Sequence, residues 1–166
     1  MASAAFDKSS VFQGGVSGIE EEIIFDGTIA AGAVVKDNTF PNVSLATGDP
    51  ADWDATGDNK PIGVVKEDEA TDINTAPASG TVGKMLPLGC GAIVRVELVT
   101  NSGNVTKGDK LYASATGGLV TPMIIVTAAT PTVNEILAHH MSYVGRAMET
   151  KANNASDTQW IDVLLD

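Results

Sequence analysis

Pro61-Ile62-Gly63-Val64-Val65-Lys66-Glu67-Asp68 returns later in the chain, altered but legible, as Tyr143-Val144-Gly145-Arg146-Ala147-Met148-Glu149-Thr150, and both copies read as apolar-Gly-x-x-x-Glu. A short β-branched run that passes into acidic residues suits a strand leaving a core for the surface, and a glycine inside it marks a bulge or a close backbone approach. Each copy is preceded by a second shared pattern, apolar-x-x-Gly-x-x-apolar: Ile29-Ala30-Ala31-Gly32-Ala33-Val34-Val35 before the first and Val105-Thr106-Lys107-Gly108-Asp109-Lys110-Leu111 before the second. Gly32 and Gly108 are 76 residues apart and Gly63 and Gly145 are 82 apart, so the same order of signals repeats with a short insertion in the second half. The sequence predicts an internal duplication of one small β unit, with Gly32, Gly63, Gly108 and Gly145 as its structural turn or bulge positions.

Composition agrees with that class. A chain of 166 residues suits one domain or two very small ones. A hydrophobic share of 43% argues against general disorder, while only 5% aromatics and 17 glycines leave small and β-branched side chains to build the core. The expected class is mostly β, a barrel or β-sandwich-like body. A net charge of −11 removes the attraction to phosphate that supplies non-specific nucleic-acid affinity, and the ten Lys and Arg are scattered. Nucleic acid and anionic membrane are therefore excluded as partners. With no basic-then-apolar leader pattern and no apolar run of spanning length, the chain is expected to be made and used in a cytoplasm. Cys90, the single cysteine, has no intrachain disulfide partner and reads as a buried inert thiol.

Along the chain, residues 1–25 look like an extended N-terminal arm: Gly14-Gly15-Val16-Ser17-Gly18 is flexible in composition, and Phe6, Val11 and Phe12 stand isolated among polar residues. The charge run Glu20-Glu21-Glu22 then passes into Ile23-Ile24-Phe25. Residues 26–100 form the first β unit and 101–166 the second, packed as one body. In the first unit, strand signals fall at Ile29–Val35, Val43–Ala46, Ile62–Val65 and Val82–Leu88. Val94, Val96 and Leu98 then alternate with Ile93, Arg95 and Glu97 at period two, one face buried and one wet. In the second, Val105–Ala113, Leu119-Val120, Met123–Thr127 and Trp160–Leu165 read as strands. Thr132-Val133-Asn134-Glu135 fits a capping box, which leaves 133–142 open between a short helix and a strand.

Candidate chemistry is thin. His139-His140 has no third ligand nearby in sequence to hold a metal with it. Asp49, Asp52, Asp54 and Asp58 partly imitate a calcium loop, but counting from Asp52 the twelfth position is Gly63, where bidentate coordination needs a glutamate. A solvated acidic loop is expected, with no metal and no cofactor. No nucleophile–base motif, phosphate loop or dinucleotide glycine pattern is present, which argues against an enzyme. Lys84 in Gly83-Lys84-Met85 is the nearest match to a carrier-domain lysine and lacks the preceding residue such carriers use.

Taken in order, Ile29–Val35, Lys60–Asp68, the valine-rich run 93–98, Lys107-Gly108-Asp109-Lys110-Leu111-Tyr112 and Gly118-Leu119-Val120-Thr121-Pro122 resemble the small head-decoration, or cement, proteins of tailed phages, both the lambdoid type and a related group of capsid-associated proteins. The resemblance covers roughly residues 25–166. It implies a compact β-rich virion protein, commonly a homotrimer, that binds the outside of an icosahedral shell and bridges major capsid protein subunits. Phe6, Val11, Phe12, Ile23, Ile24 and Phe25 are then the candidate capsid-binding residues. This chain departs from the shortest members in carrying both units and the insertion at 123–142. The alternative reading is a small β-barrel carrier domain or enzyme.

Overall fold

In the computed structural model, which describes residues 11–15, 19–49, 60–67, 76–100, 102–122, 129–152 and 159–166, the predicted repeat becomes two five-stranded barrels of the same topology. The first barrel is built from β2 (Glu21–Phe25), β3 (Val34–Asp37), β4 (Asn42–Leu45), β5 (Pro61–Lys66) and β6 (Val82–Pro87), closed in the order β2-β4-β3-β5-β6. The second uses β7 (Ala92–Leu98), β8 (Lys110–Ala113), β9 (Val120–Thr121), β10 (Tyr143–Ala147) and β11 (Gln159–Leu164), in the order β7-β11-β10-β8-β9, with β9 returning to β7. Each barrel contains one parallel pair, and it is the same pair: β2 with β4, and β7 with β9.

The equivalence holds at single hydrogen bonds. Gly32 N–H donates to Val65 O at 2.8 Å and Val65 N–H donates to Ala33 O at 3.0 Å; in the second barrel Gly108 N–H donates to Ala147 O at 2.8 Å and Ala147 N–H to Asp109 O at 2.9 Å. Gly32 and Gly108 both take positive φ, 84° and 96°, a turn conformation that costs a glycine little. Register shifts lie beside the other two motif glycines, between Val35 and Lys36 opposite Gly63 and between Tyr143 and Gly145 on β10.

Inward-facing residues follow the same register. Ile23, Phe25, Val35, Val43, Val65 and Met85 fill the first barrel. Val96, Leu98, Leu111, Val120, Ala147 and Val163 occupy the matching positions in the second and are buried in its core. Barrels this narrow suit small and β-branched side chains, each contributing roughly 1.5–3 kcal/mol when fully buried. Main-chain bonds tie the barrels together: Val34 N–H to Gly118 O at 2.9 Å, Gly118 N–H to Ala46 O at 2.9 Å and Gly48 N–H to Ser114 O at 2.7 Å.

Two sequence boundaries are corrected. The break between units falls at Leu88-Gly89-Cys90-Gly91, not at residue 100, because Ala92–Leu98 pairs with β11 of the second barrel over six consecutive positions. The arm also ends earlier than residue 25. Phe12–Gly15 forms β1 on the edge of β7, with Phe12 opposite Val94 and Gly15 opposite Ala92, and Glu21–Phe25 is a barrel strand. Residues 133–141 are helical (α1, Val133–Met141), since Thr132 accepts from the Glu135 N–H at 3.2 Å while the Glu135 carboxylate accepts from the Thr132 N–H at 2.6 Å. Cys90 is half-buried against the core rather than enclosed by it.

On β7 the predicted wet face carries one ion pair that is nearly dry. Arg95 grips Asp162 of β11 with both ends of its guanidinium, Nε to Oδ1 at 2.8 Å and Nη2 to Oδ2 at 3.1 Å, with the arginine side chain only 10% exposed. The matching register in the first barrel sets Glu22 opposite Lys84, with signs exchanged and both residues exposed, but there the Lys84 ammonium pairs with Glu20 at 3.5 Å. Asp162→Ala is expected to cost about 2–3 kcal/mol, because it leaves a desolvated guanidinium without its carboxylate. Glu22→Ala is expected to change stability by no more than about 0.5 kcal/mol, as surface substitutions do, because its side chain is exposed. Urea denaturation of the two variants checks the contrast.

Candidate functional site

The residues singled out for contact with a partner surface scatter on folding. Ile23 and Phe25 point into the first barrel with no more than 1% of their surface exposed, so they are core and not contact residues. Val11 is likewise fully buried: its N–H donates to Glu67 Oε2 at 2.7 Å and its carbonyl accepts from Arg95 N–H at 2.7 Å. Sequence reasoning took these three for an arm because apolar residues isolated among glycines and charges look unpartnered, whereas Val11 meets Glu67, Ile23 pairs with Gly83 and the Phe25 N–H bonds Thr81 O, each more than fifty residues away. Ile24 is half-buried, and the Phe12 backbone is held on β7. Phe6 and the acidic positions Asp52, Asp54 and Asp58 lie outside the described residues. Lys84 lies within strand β6, not at a hairpin tip.

The most distinctive surface was not predicted, and the duplication locates it. Each barrel has an outward face on the strands that carry the motif glycines. In the first barrel Val34, Val64 and Leu86 on this face are buried in the core cluster shared with the second barrel. In the second, the same register holds Lys110, Arg146 and Leu164, and the face is open. There Lys110, Tyr112, Tyr143, Arg146, the two histidines of α1 and Asp166 line a cleft of about 490 Å³. Tyr112 stacks on His139 with ring centres 5.7 Å apart, Tyr143 meets Tyr112 edge-on at 5.8 Å, and Lys110 Nζ sits 6.0 Å from the centre of the Tyr143 ring. Arg146 Nε bonds Asp166 Oδ2 at 2.7 Å, and the Tyr143 hydroxyl donates to the same carboxylate.

A second, smaller cleft of about 220 Å³ lies where the barrels meet, between the Gly117-Gly118 turn and Trp160, and is lined mainly by alanine and glycine. Glu97 is the one ionisable residue in its lining. Neither cleft is lined by a serine or cysteine, and no group of three metal-ligating side chains occurs among the described residues.

No family model matches the chain, and no curated sequence does. Among solved structures, the chain is similar to one titled the capsid of Myoviridae phage XM1, with 18% identity, a TM-score of 0.50 and coverage of 98% of this chain and 97% of that one. The fold is one found in a phage capsid. The chain also matches the head fiber gp8.5 N base of bacteriophage phi29, at 10% identity and a TM-score of 0.41, over 89% of this chain and 93% of that one. The XM1 match runs through both barrels, so the duplicated pair is the unit of likeness rather than one half of it.

The geometry of the open cleft changes how one phenol titrates. Burial, and then the hydrogen bond to Asp166, hold the Tyr143 hydroxyl above the ordinary phenol value of 10.0. Because the folded state keeps this proton longer than the unfolded chain, the contribution to stability is complete below the ordinary phenol value and is lost as pH rises through the folded one. Absorbance titration at 295 nm is expected to show a late-ionising tyrosine, and Asp166→Asn is expected to move that step to lower pH.

Proposed function

We propose that the protein is a structural virion component, not an enzyme, that binds the exterior of an icosahedral phage capsid and stabilises it by bridging major capsid protein subunits. The observation that carries this reading is the end-to-end correspondence of the two-barrel chain with a chain of the XM1 capsid, over 98% of its length. The acidic surface suits a shell exterior, where no contact with the packaged nucleic acid is needed. A homotrimer is the assembly that lets each copy make the same contact at a three-fold position of a shell. Phe6, Phe12 and Ile24 are the remaining members of the predicted contact set.

The test is binding of the purified protein to purified shells of the cognate phage that lack it. Saturable co-sedimentation is expected, with an assembly near three times 17.1 kDa by light scattering and a higher shell disruption temperature on binding. Absence from the shell pellet at every concentration would overturn the proposal. Binding that leaves shell stability unchanged would remove the bridging role.

A further inference from the structure

Both tyrosines and both histidines of the 166-residue chain, and one of its two arginines, converge on the cleft formed by β8, β10 and the end of α1. The first barrel is an internal control for what the fold itself requires. Val34 and Val64 stand where Lys110 and Arg146 do, and Lys36 and Pro61 stand where Tyr112 and Tyr143 do. Since the first barrel closes without any of these groups, the cluster is not a condition of folding. Among the described residues the helix that supplies His139 and His140 has no counterpart there either.

The same comparison says what kind of object this face meets. In the first barrel it is the face that docks on a protein barrel, and head-to-tail packing of two equivalent units leaves the corresponding face of the second unit unused. That face is no longer apolar. It carries two fixed cations, Lys110 and Arg146, beside the side-chain carboxylate of Asp166, on a chain of net charge −11. Among the described residues Lys110 has no carboxylate partner, and the Nδ1 atom of His139 is buried without a hydrogen bond. Asp166 already demonstrates the chemistry, since one carboxylate sits on the Arg146 Nε and the Tyr143 hydroxyl. A guanidinium has five N–H donors, so Arg146 keeps others for a second carboxylate, with the Lys110 ammonium beside them.

We infer that this cleft is a carboxylate-binding site, occupied by an acidic segment of the capsid subunit on which the protein docks. The capsid part of this inference rests on the proposed function. A nucleic-acid strand is repelled by a chain of net charge −11, and a second copy of the chain is an outcome that the test below separates.

The site is tested on the full chain by following the imidazole and tyrosine ring resonances during titration with acetylated hexaglutamate, with hexaglutamine and inorganic phosphate as comparisons. Saturable shifts of His139 and His140 are expected with hexaglutamate. Binding is expected to be at least tenfold weaker with hexaglutamine, and at least tenfold weaker for the K110Q/R146Q double variant, whose melting temperature stays at the wild-type value because both side chains are exposed. No shift, a shift that persists in the double variant, or phosphate binding as tightly as hexaglutamate would overturn the site. The occupant is tested with shells: K110E/R146E is expected to bind them at least tenfold more weakly than wild type. If wild type binds shells and the variant binds equally well, the inference falls while the proposed function stands. If wild type binds no shells but the peptide result holds, the proposed function and the capsid occupant fall and the carboxylate site stands. Self-association of wild type that the variant lacks would make a second copy the occupant and overturn the assignment to the capsid.

Discussion

Replacing Gly145 by alanine is expected to prevent the second barrel from closing, so that the variant fails to accumulate as folded protein or melts far below wild type. A Cβ at this position falls well inside the contact distance of the Leu164 carbonyl oxygen and 2.8 Å from Val163 Cγ1. The first of these is backbone in the neighbouring strand β11. It retreats only by giving up the pairing of Arg146 with Leu164 and Ala147 with Val163 that holds β10 in the barrel. The cost is expected to exceed about 4 kcal/mol, a range that single substitutions reach only through such severe clashes or comparable losses, and it is a large part of the roughly 5–15 kcal/mol that stabilises a domain.

The duplicated position gives a graded comparison. At Gly63 the same substitution meets Leu86 O at 2.7 Å and Met85 Sδ at 2.9 Å, where the flexible thioether yields and the carbonyl has less far to move. About 2–3 kcal/mol is expected there, the ordinary cost of overpacking. Gly103 has φ of 97° with nothing within 4 Å of an added Cβ, so G103A tests conformational strain alone, at roughly 1–2 kcal/mol. Chemical denaturation should rank the three G145A, G63A, G103A from most to least damaging. A G145A protein as stable as G103A would mean that the close approach of β10 and β11 is not as described.

These glycines also mark where the sequence is legible and where it stops being so. The repeat can be read because a close strand approach and a left-handed turn both demand glycine, and the demand falls at the same register in each barrel. The β7 alternation can be read because Val94, Val96 and Leu98 are buried while Ile93 and Glu97 are half-exposed. β1 is illegible for the opposite reason. Gln13-Gly14-Gly15 has no strand character, and main-chain pairing and the buried Val11 hold the segment on β7. Thr100-Asn101-Ser102-Gly103 is the stronger turn signal in the sequence and favours a boundary at residue 100, although the chain changes barrel at the apolar Leu88-Gly89-Cys90-Gly91. The motif glutamates were read as strand ends turning to solvent. Instead Glu67 accepts from the Val11 N–H and Glu149 from the Asp162 N–H at 3.1 Å, each capping main chain that the sheets leave unpaired. The aromatic cleft escaped because its residues span 110–166 and each looks ordinary alone. Aligning Gly32 with Gly108 and Gly63 with Gly145 would have exposed it, by placing Lys110 and Arg146 where the first unit has Val34 and Val64.

Deleting residues 1–22 is expected to unfold much of the protein, although an arm ending at residue 25 would be dispensable for the fold. The deletion removes Val11, whose burial stabilises by about 2 kcal/mol. It strips the Glu67 carboxylate and the Arg95 N–H of partners worth roughly 1–2 kcal/mol each. It reopens the β7 edge covered by β1, and it takes Glu21 and Glu22, which pair with Met85 and Lys84, out of the first barrel. The new chain start would also set a charged amine on Ile23, a residue with no exposed surface. Deleting residues 1–8 removes none of these groups and keeps the Val11 nitrogen an amide that donates to Glu67, so it is expected to leave the melting temperature unchanged. The two truncations therefore separate folding from attachment. If the first eight residues, with Phe6, contribute to holding the shell, three copies on one trimer act at an effective concentration on the order of mM, and their loss is expected to weaken co-sedimentation by roughly 10² or more. Unchanged shell binding by the shorter truncation would put attachment on the barrels themselves. A cooperative wild-type melt after deletion of residues 1–22 would show that neither β1 nor the start of β2 supports the fold.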